Sequence, residues 1–191
     1  MVDTGRPAEG AAYYDEIFGA DASYALPHGT APWAHLWRWC VRRVEPDDRV
    51  LELGCGPGHL AAHLLEMGLG SLRYLGVDFS VVALEQARAR VPAYRFIEAV
   101  LPDVAPIVGS HEPTLVIACE VLEHVDQDLG TLSHLEPGTR VLGTVPKLDG
   151  RGHVRVFHTE EAVRLRYGQI LALEEVVRLD KHWAFEGRVV G

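Results

Sequence analysis

The chain has 191 residues, 48% of them hydrophobic and 24% charged, which are ordinary proportions for a globular protein with one sizeable core. Its net charge of −9 argues against a nucleic-acid grip made of several Lys/Arg–phosphate contacts, although Arg38, Arg42 and Arg43 cluster locally. Cys40, Cys55 and Cys119 make no disulfide framework, no apolar run reaches the ~18 residues of a membrane span, and the N-terminus lacks a signal peptide's basic-then-apolar order, so a reduced, cytoplasmic setting without a membrane partner is expected.

Residues 1–12 are polar and Ala/Gly-rich and are expected to be mobile. Residues 13–18, with Tyr13, Tyr14 and Phe18, suit a short aromatic helix, and 23–30 read as loop. Pro32 opens a helix through residue 44 that holds Trp33, Leu36, Trp37, Trp39 and Val41; proline at a first helical position gives up only an N–H that would be unpaired anyway. Strands and helices then alternate. Strands are expected at 49–53, 74–77, 95–98, 115–118 and 140–144, and helices at 59–67, 81–90, 127–135 and 160–167. Ser80 and Thr159 suit the N-cap positions of the second and last of these helices. Residues 171–179 and 182–189 read as two strands of a tight hairpin, with only Asp180 and Lys181 between them. Such alternation implies a parallel sheet covered on both faces. No repeat or linker interrupts the chain, so 1–191 reads as a single domain, with 1–44 an aromatic lid and helix and 45–191 the core.

The segment from Val50 to His59 is the most informative. An apolar run ends in Glu52-Leu53, and glycines follow at every second position, Gly54, Gly56 and Gly58, before the apolar-periodic residues Leu60, Ala61, Leu64 and Leu65. A strand, a turn with little side-chain bulk and a helix N-terminus let backbone approach a ligand closely. Asp78, 24 residues past Gly54, ends the next strand, where an acid normally receives a ribose diol. A dinucleotide fingerprint places its glycines at relative positions one, three and six; here His59 holds the sixth place and would obstruct the contact a glycine allows. The Glu52 carboxylate would repel a pyrophosphate and suits a cationic amine instead. No Gly-Lys-Ser/Thr follows, so a P-loop is excluded.

With these motifs the chain resembles the class I S-adenosylmethionine-dependent methyltransferases. Glu52-x-Gly54-x-Gly56-x-Gly58 is similar to their first motif and Gly76-Val77-Asp78-Phe79-Ser80 to their second-strand acid. Ile117 to His124 resembles the fourth-strand motif, and Gly138 to Pro146 the fifth strand. The resemblance implies an α/β, Rossmann-like fold with a mainly parallel seven-stranded sheet, an antiparallel C-terminal strand and helices on both faces. It implies S-adenosyl-L-methionine as methyl donor and S-adenosyl-L-homocysteine as product. The turn, Cys55 included, would contact the methionine and ribose parts, Asp78 both ribose hydroxyls, and Phe79 the adenine. Backbone at Ala99 and Val100 would face the adenine edge, and Cys119 and Glu120 would lie near the methionine. Many members carry an acid where Val100 stands to take the adenine amino group; here Asp103 could replace it only if the loop folds back.

Methyl transfer from a sulfonium needs alignment and, at an oxygen, a base. His124, after the fourth strand, is the first candidate, and His153 and His158 follow. Tyr14 and Tyr24 are candidate acceptor contacts from the aromatic lid. Glu120-x-x-Glu123-His124 also resembles the metal sites of small-RNA 2′-O-methyltransferases and ubiquinone-biosynthesis O-methyltransferases, but the same pattern occurs in members without a metal, and the expectation is a metal-free site. A small-molecule acceptor methylated at oxygen is expected. The alternatives are an RNA or protein methyltransferase, a non-catalytic nucleoside-binding protein or a dinucleotide-dependent oxidoreductase. No feature of the chain selects an oligomeric state.

Overall fold

A computed structural model describes all 191 residues. In chain order the elements are β1 (Val2–Asp3), α1 (Ala11–Ala20), α2 (Ala34–Val41), β2 (Val50–Leu53), α3 (His59–Glu66), β3 (Tyr74–Asp78), α4 (Val81–Arg90), β4 (Arg95–Glu98) and α5 (Ala105–His111). There follow β5 (Leu115–Cys119), α6 (Asp128–Leu132), β6 (Arg140–Pro146), β7 (Arg155–Val156), α7 (Glu160–Tyr167), β8 (Leu171–Leu179) and β9 (His182–Val189).

Seven strands form one sheet in the order β4-β3-β2-β5-β6-β9-β8. The first five are mutually parallel; β9 runs antiparallel to both of its neighbours. This is the expected Rossmann-like arrangement with its antiparallel C-terminal strand. β2, β3 and β6 are buried or nearly so along their whole length, as strands covered on both faces must be. Successive side chains alternate between the two faces. Val50 and Ile117 pack with Leu60, Leu84 and Trp37 on one side, whereas Leu51, Leu53 and Val116 pack with Val108, Leu132 and Tyr167 on the other. Strand order reverses between β2 and β5, so the crevice beyond their carboxyl ends is the natural ligand position.

Three expectations need correction. Within residues 1–12, Val2 to Thr4 are tied down, because β1 pairs antiparallel with β7 and Thr4 donates from its N–H to the Val154 carbonyl at 3.0 Å. Backbone groups of the 154–156 segment, which lies outside the main sheet, gain partners this way. The helix α5 was not foreseen, since Pro106, Gly109 and Ser110 weaken its helical pattern. Finally, the helices expected at 32–44 and 127–135 are shorter, Ala34–Val41 and Asp128–Leu132.

A buried polar knot holds the loop after β5. Asp128 is fully buried between Arg155 (3.3 Å) and Arg166 (3.2 Å from Nε). Arg155 also donates to the carbonyls of Leu122 and Val125 at 2.6 Å and of Asp126 at 3.0 Å. It therefore clamps the loop that carries Glu123 and His124. Removing one partner of a buried ion pair leaves the other charge uncompensated. Asp128→Ala should therefore lose about 3–5 kcal/mol in urea unfolding; a loss within experimental error would show that the knot is not structural.

Candidate functional site

The turn after β2 depends on its glycines. Gly54, Gly56 and Gly58 have φ of 65°, 49° and 77°, which side chains rarely adopt. A Cβ on Gly54 would run into the Val121 side chain, and one on Gly58 would sit 3.0 Å from Ala87 Cα in α4. The close helix approach is thus made at Gly58, and the expected obstruction by His59 does not arise. That imidazole turns away and stacks on Trp37 with centroids 4.7 Å apart.

Asp78 braces this turn. Its carboxylate accepts from Gly56 N–H at 2.8 Å and from Ser80 N–H at 2.9 Å. Burial raises its pKa and these amides pull it back. Each carboxylate oxygen keeps a second lone pair for a further donor.

Two adjoining cavities open at the strand tips. One, of about 570 Å³, is walled by Asp78, Phe79, Ala99 and Val100. The other, of about 610 Å³, is lined by Tyr24, Trp33, Trp37, Cys119, Arg151 and His153. Gly54, Tyr14, Phe18, Tyr24, Glu120 and His124 border both. The helix α1 lies across them, with Tyr14 5.3 Å from Phe79 and 5.7 Å from His124 between ring centroids. Asp15 holds α1 there by accepting from Ser80 Oγ at 2.6 Å and from Val82 N–H at 3.3 Å. Neither Asp15, Arg151 nor Val121 carried a sequence signal of its own.

His124 Nδ1 lies 2.9 Å from the Gly152 carbonyl, so that nitrogen carries the proton and Nε2 keeps its lone pair. Burial lowers the His124 pKa to about 4. Glu123, 3.7 Å from Nε2, is fully buried with neither oxygen hydrogen-bonded, and burial drives its carboxyl well above the usual range, towards the neutral acid. His153 stands with its ring 4.9 Å from that of His124, and burial lowers its pKa too. One ligand atom each from Glu123, His124 and His153 falls within 4.8 Å of the others.

Several expected site residues lie elsewhere. His158 binds the Lys147 carbonyl at 3.0 Å, is exposed and lines neither cavity. Glu120 lines both cavities as expected but stays out of the Glu123–His124–His153 group; it accepts from Thr144 Oγ1 at 2.9 Å and pairs with His182 Nε2 at 3.1 Å. Burial pulls His182 down, but the Glu120 carboxylate outweighs it and the pKa rises. Cys55 is buried beneath the turn. Glu52 is also off the cavity walls, since it is buried and accepts from the Tyr74 hydroxyl.

Burial raises Glu52 from 4.5 to about 8 despite that hydrogen bond. Between those two values the folded chain holds a proton that the unfolded chain has released. This contribution to stability is complete below about pH 4.5 and is lost as pH rises through about 8. Urea unfolding at about pH 5 and about pH 8.5 should show the loss, and Glu52→Gln should flatten it; an equal slope in the variant would remove the assignment.

A family model described as a methyltransferase domain matches residues 51–141, the stretch that contains the glycine turn, Asp78 and the loop to His124. The trans-aconitate 2-methyltransferase of Enterobacter sp. (strain 638) is 41% identical over 108 residues, covering 56% of this chain and 40% of that protein. That of Rhodopseudomonas palustris (strain BisB18) is 37% identical over 121 residues, covering 60% and 46%. The chain thus spans less than half the length of these curated relatives. The crystal structure of a TehB-like SAM-dependent methyltransferase from Corynebacterium glutamicum ATCC 13032 Kitasato superimposes with a TM-score of 0.66 at 15% identity, covering 94% of this chain and all of that one, and so shares the fold. Residues 51–141, just under half of the chain, thus match a methyltransferase domain, and the sheet order around them is Rossmann-like.

Proposed function

We propose that the chain transfers a methyl group from S-adenosylmethionine to an acidic hydroxyl oxygen of a small acceptor held in the aromatic cavity. The observation that carries this reading is the junction of the two cavities, which His124 borders with its Nδ1 bound to the Gly152 carbonyl. The donor fits the first cavity: Phe79 and Val100 offer apolar surface for adenine, Asp78 has lone pairs to spare for ribose, and the Gly54 turn admits close backbone contact. S-adenosylmethionine supplies an activated methyl on a sulfonium. The chain's own work is to align the acceptor and take its proton.

The base sets the acceptor class. A nitrogen with a pKa near 4 is free at neutral pH but weakly basic, and so is matched to a phenolic or enolic hydroxyl rather than to an alkyl alcohol. Tyr14 and Tyr24 would hold such a ring. The relatives' names suggest a second reading, a carboxylate acceptor. The cavity wall opposes a triply charged one, because Glu16, Asp21 and Glu120 stand against Arg151 while His124 and His153 stay neutral.

Labelled donor incubated with phenols, enols and trans-aconitate should mark the phenols or enols; exclusive labelling of trans-aconitate would overturn the acceptor class, and no transfer to any of them would favour a binding protein. His124→Ala should lower turnover by about 10²–10⁴ with donor affinity unchanged, and a fully active variant would remove the base. The reading is metal-free, so turnover should survive a chelator. A loss that His63→Gln, in the other cluster of possible ligands, shares with the wild type would reassign Glu123, His124 and His153 to a divalent ion.

A further inference from the structure

A second cluster lies outside both cavities. The turn over residues 27–31, closed by hydrogen bonds from Thr30 and Ala31 N–H to the Pro27 carbonyl, brings His28 against α3. There His63 and Glu66, three residues apart, share one helix face. His28 Nε2 is 2.9 Å from Glu66 Oε2, and the His28 and His63 rings are 4.1 Å apart and edge-on. One ligand atom from each of the three falls within 4.8 Å of the others. His63 Nε2 is buried and has no hydrogen-bond partner, although a donor or acceptor left unpaired is costly.

We infer that His28, His63 and Glu66 form a binding site for a divalent transition-metal ion that clamps the 27–31 turn onto α3. Two imidazoles with one carboxylate suit zinc, cobalt or nickel rather than magnesium or calcium, which prefer all-oxygen shells. Three protein ligands leave a position for water. Arg38, on the neighbouring helix, donates to the Gly29 carbonyl of the same turn at 3.5 Å. The clamp bears on the aromatic cavity because the clamped turn joins Tyr24 to Trp33 in its wall. The same segment is tied down by His59 Nε2 at the Leu26 carbonyl and by Arg90 at the Tyr24 carbonyl.

The test is metal binding by the full chain after chelator treatment and removal of the chelator. Cobalt titration should give visible absorption from an imidazole-containing site, zinc should displace the cobalt, and the ion should raise the melting temperature. His63→Gln and Glu66→Gln, shown to be folded by circular dichroism, should each weaken binding by about 10–100-fold or more. His124→Ala should leave it unchanged. Equal binding by wild type and His63→Gln, loss on changing His124 instead, or no binding at all would each overturn the proposal. Metal binding is read directly here, so its failure is distinguishable from a failure of methyl transfer, whose residues lie outside this cluster.

Discussion

One buried carboxylate connects everything at the strand tips. Asp78 accepts from the amide of Gly56, in the turn after β2, and from the amide of Ser80, at the N-cap of α4. Ser80 in turn caps α4 by accepting from Ala83 N–H at 3.1 Å and gives its hydroxyl proton to Asp15 at 2.6 Å. A single chain of hydrogen bonds thus runs from the glycine turn through β3 to the helix over the cleft. Buried polar groups in such a network are expensive when unpaired and rigidifying when paired. The lid position, the turn shape and the wall of the first cavity are therefore set together.

The other side of the cleft is held differently. The loop after β5 has almost no regular structure, yet it carries His124 and the buried Glu123. Arg155 compensates by binding three carbonyls of that loop and the Asp128 carboxylate. A guanidinium has five donors in a rigid fork, and this one satisfies loop carbonyls that no helix or sheet can reach. The short β1–β7 ladder and the Val154 amide bonded to the Glu123 carbonyl at 2.8 Å attach the chain's first residues to the same frame. The position of Glu123 and His124 thus depends on electrostatics far from the sheet's apolar core.

Much of this was legible in the sequence because the central elements obey simple periodicity. The bounds of α4, α7, β8 and β9 follow from the caps Ser80 and Thr159 and from the two-residue turn at Asp180. The glycine turn was legible because its positive φ angles demand glycine. What escaped was long-range. Nothing near Glu52 announces that Tyr74, 22 residues on, takes its carboxylate, so a residue expected to meet the ligand amine is instead buried under the turn. His158 was drawn into the site by proximity along the chain, while its partner, the Lys147 carbonyl, holds it outside both cavities; Glu120 does border them, but its partner His182 lies on a distant strand. Burial of His124 to a pKa near 4 is likewise a property of packing rather than of order along the chain.

The account rests on where the donor lies. The most direct measurement is a crystal structure of the chain grown with S-adenosylhomocysteine. The ribose hydroxyls should be within ~3 Å of Asp78, the adenine between Phe79 and Val100, and the sulfur facing the cavity that His124 borders. An empty cleft, or the ligand bound away from Asp78, would contradict it.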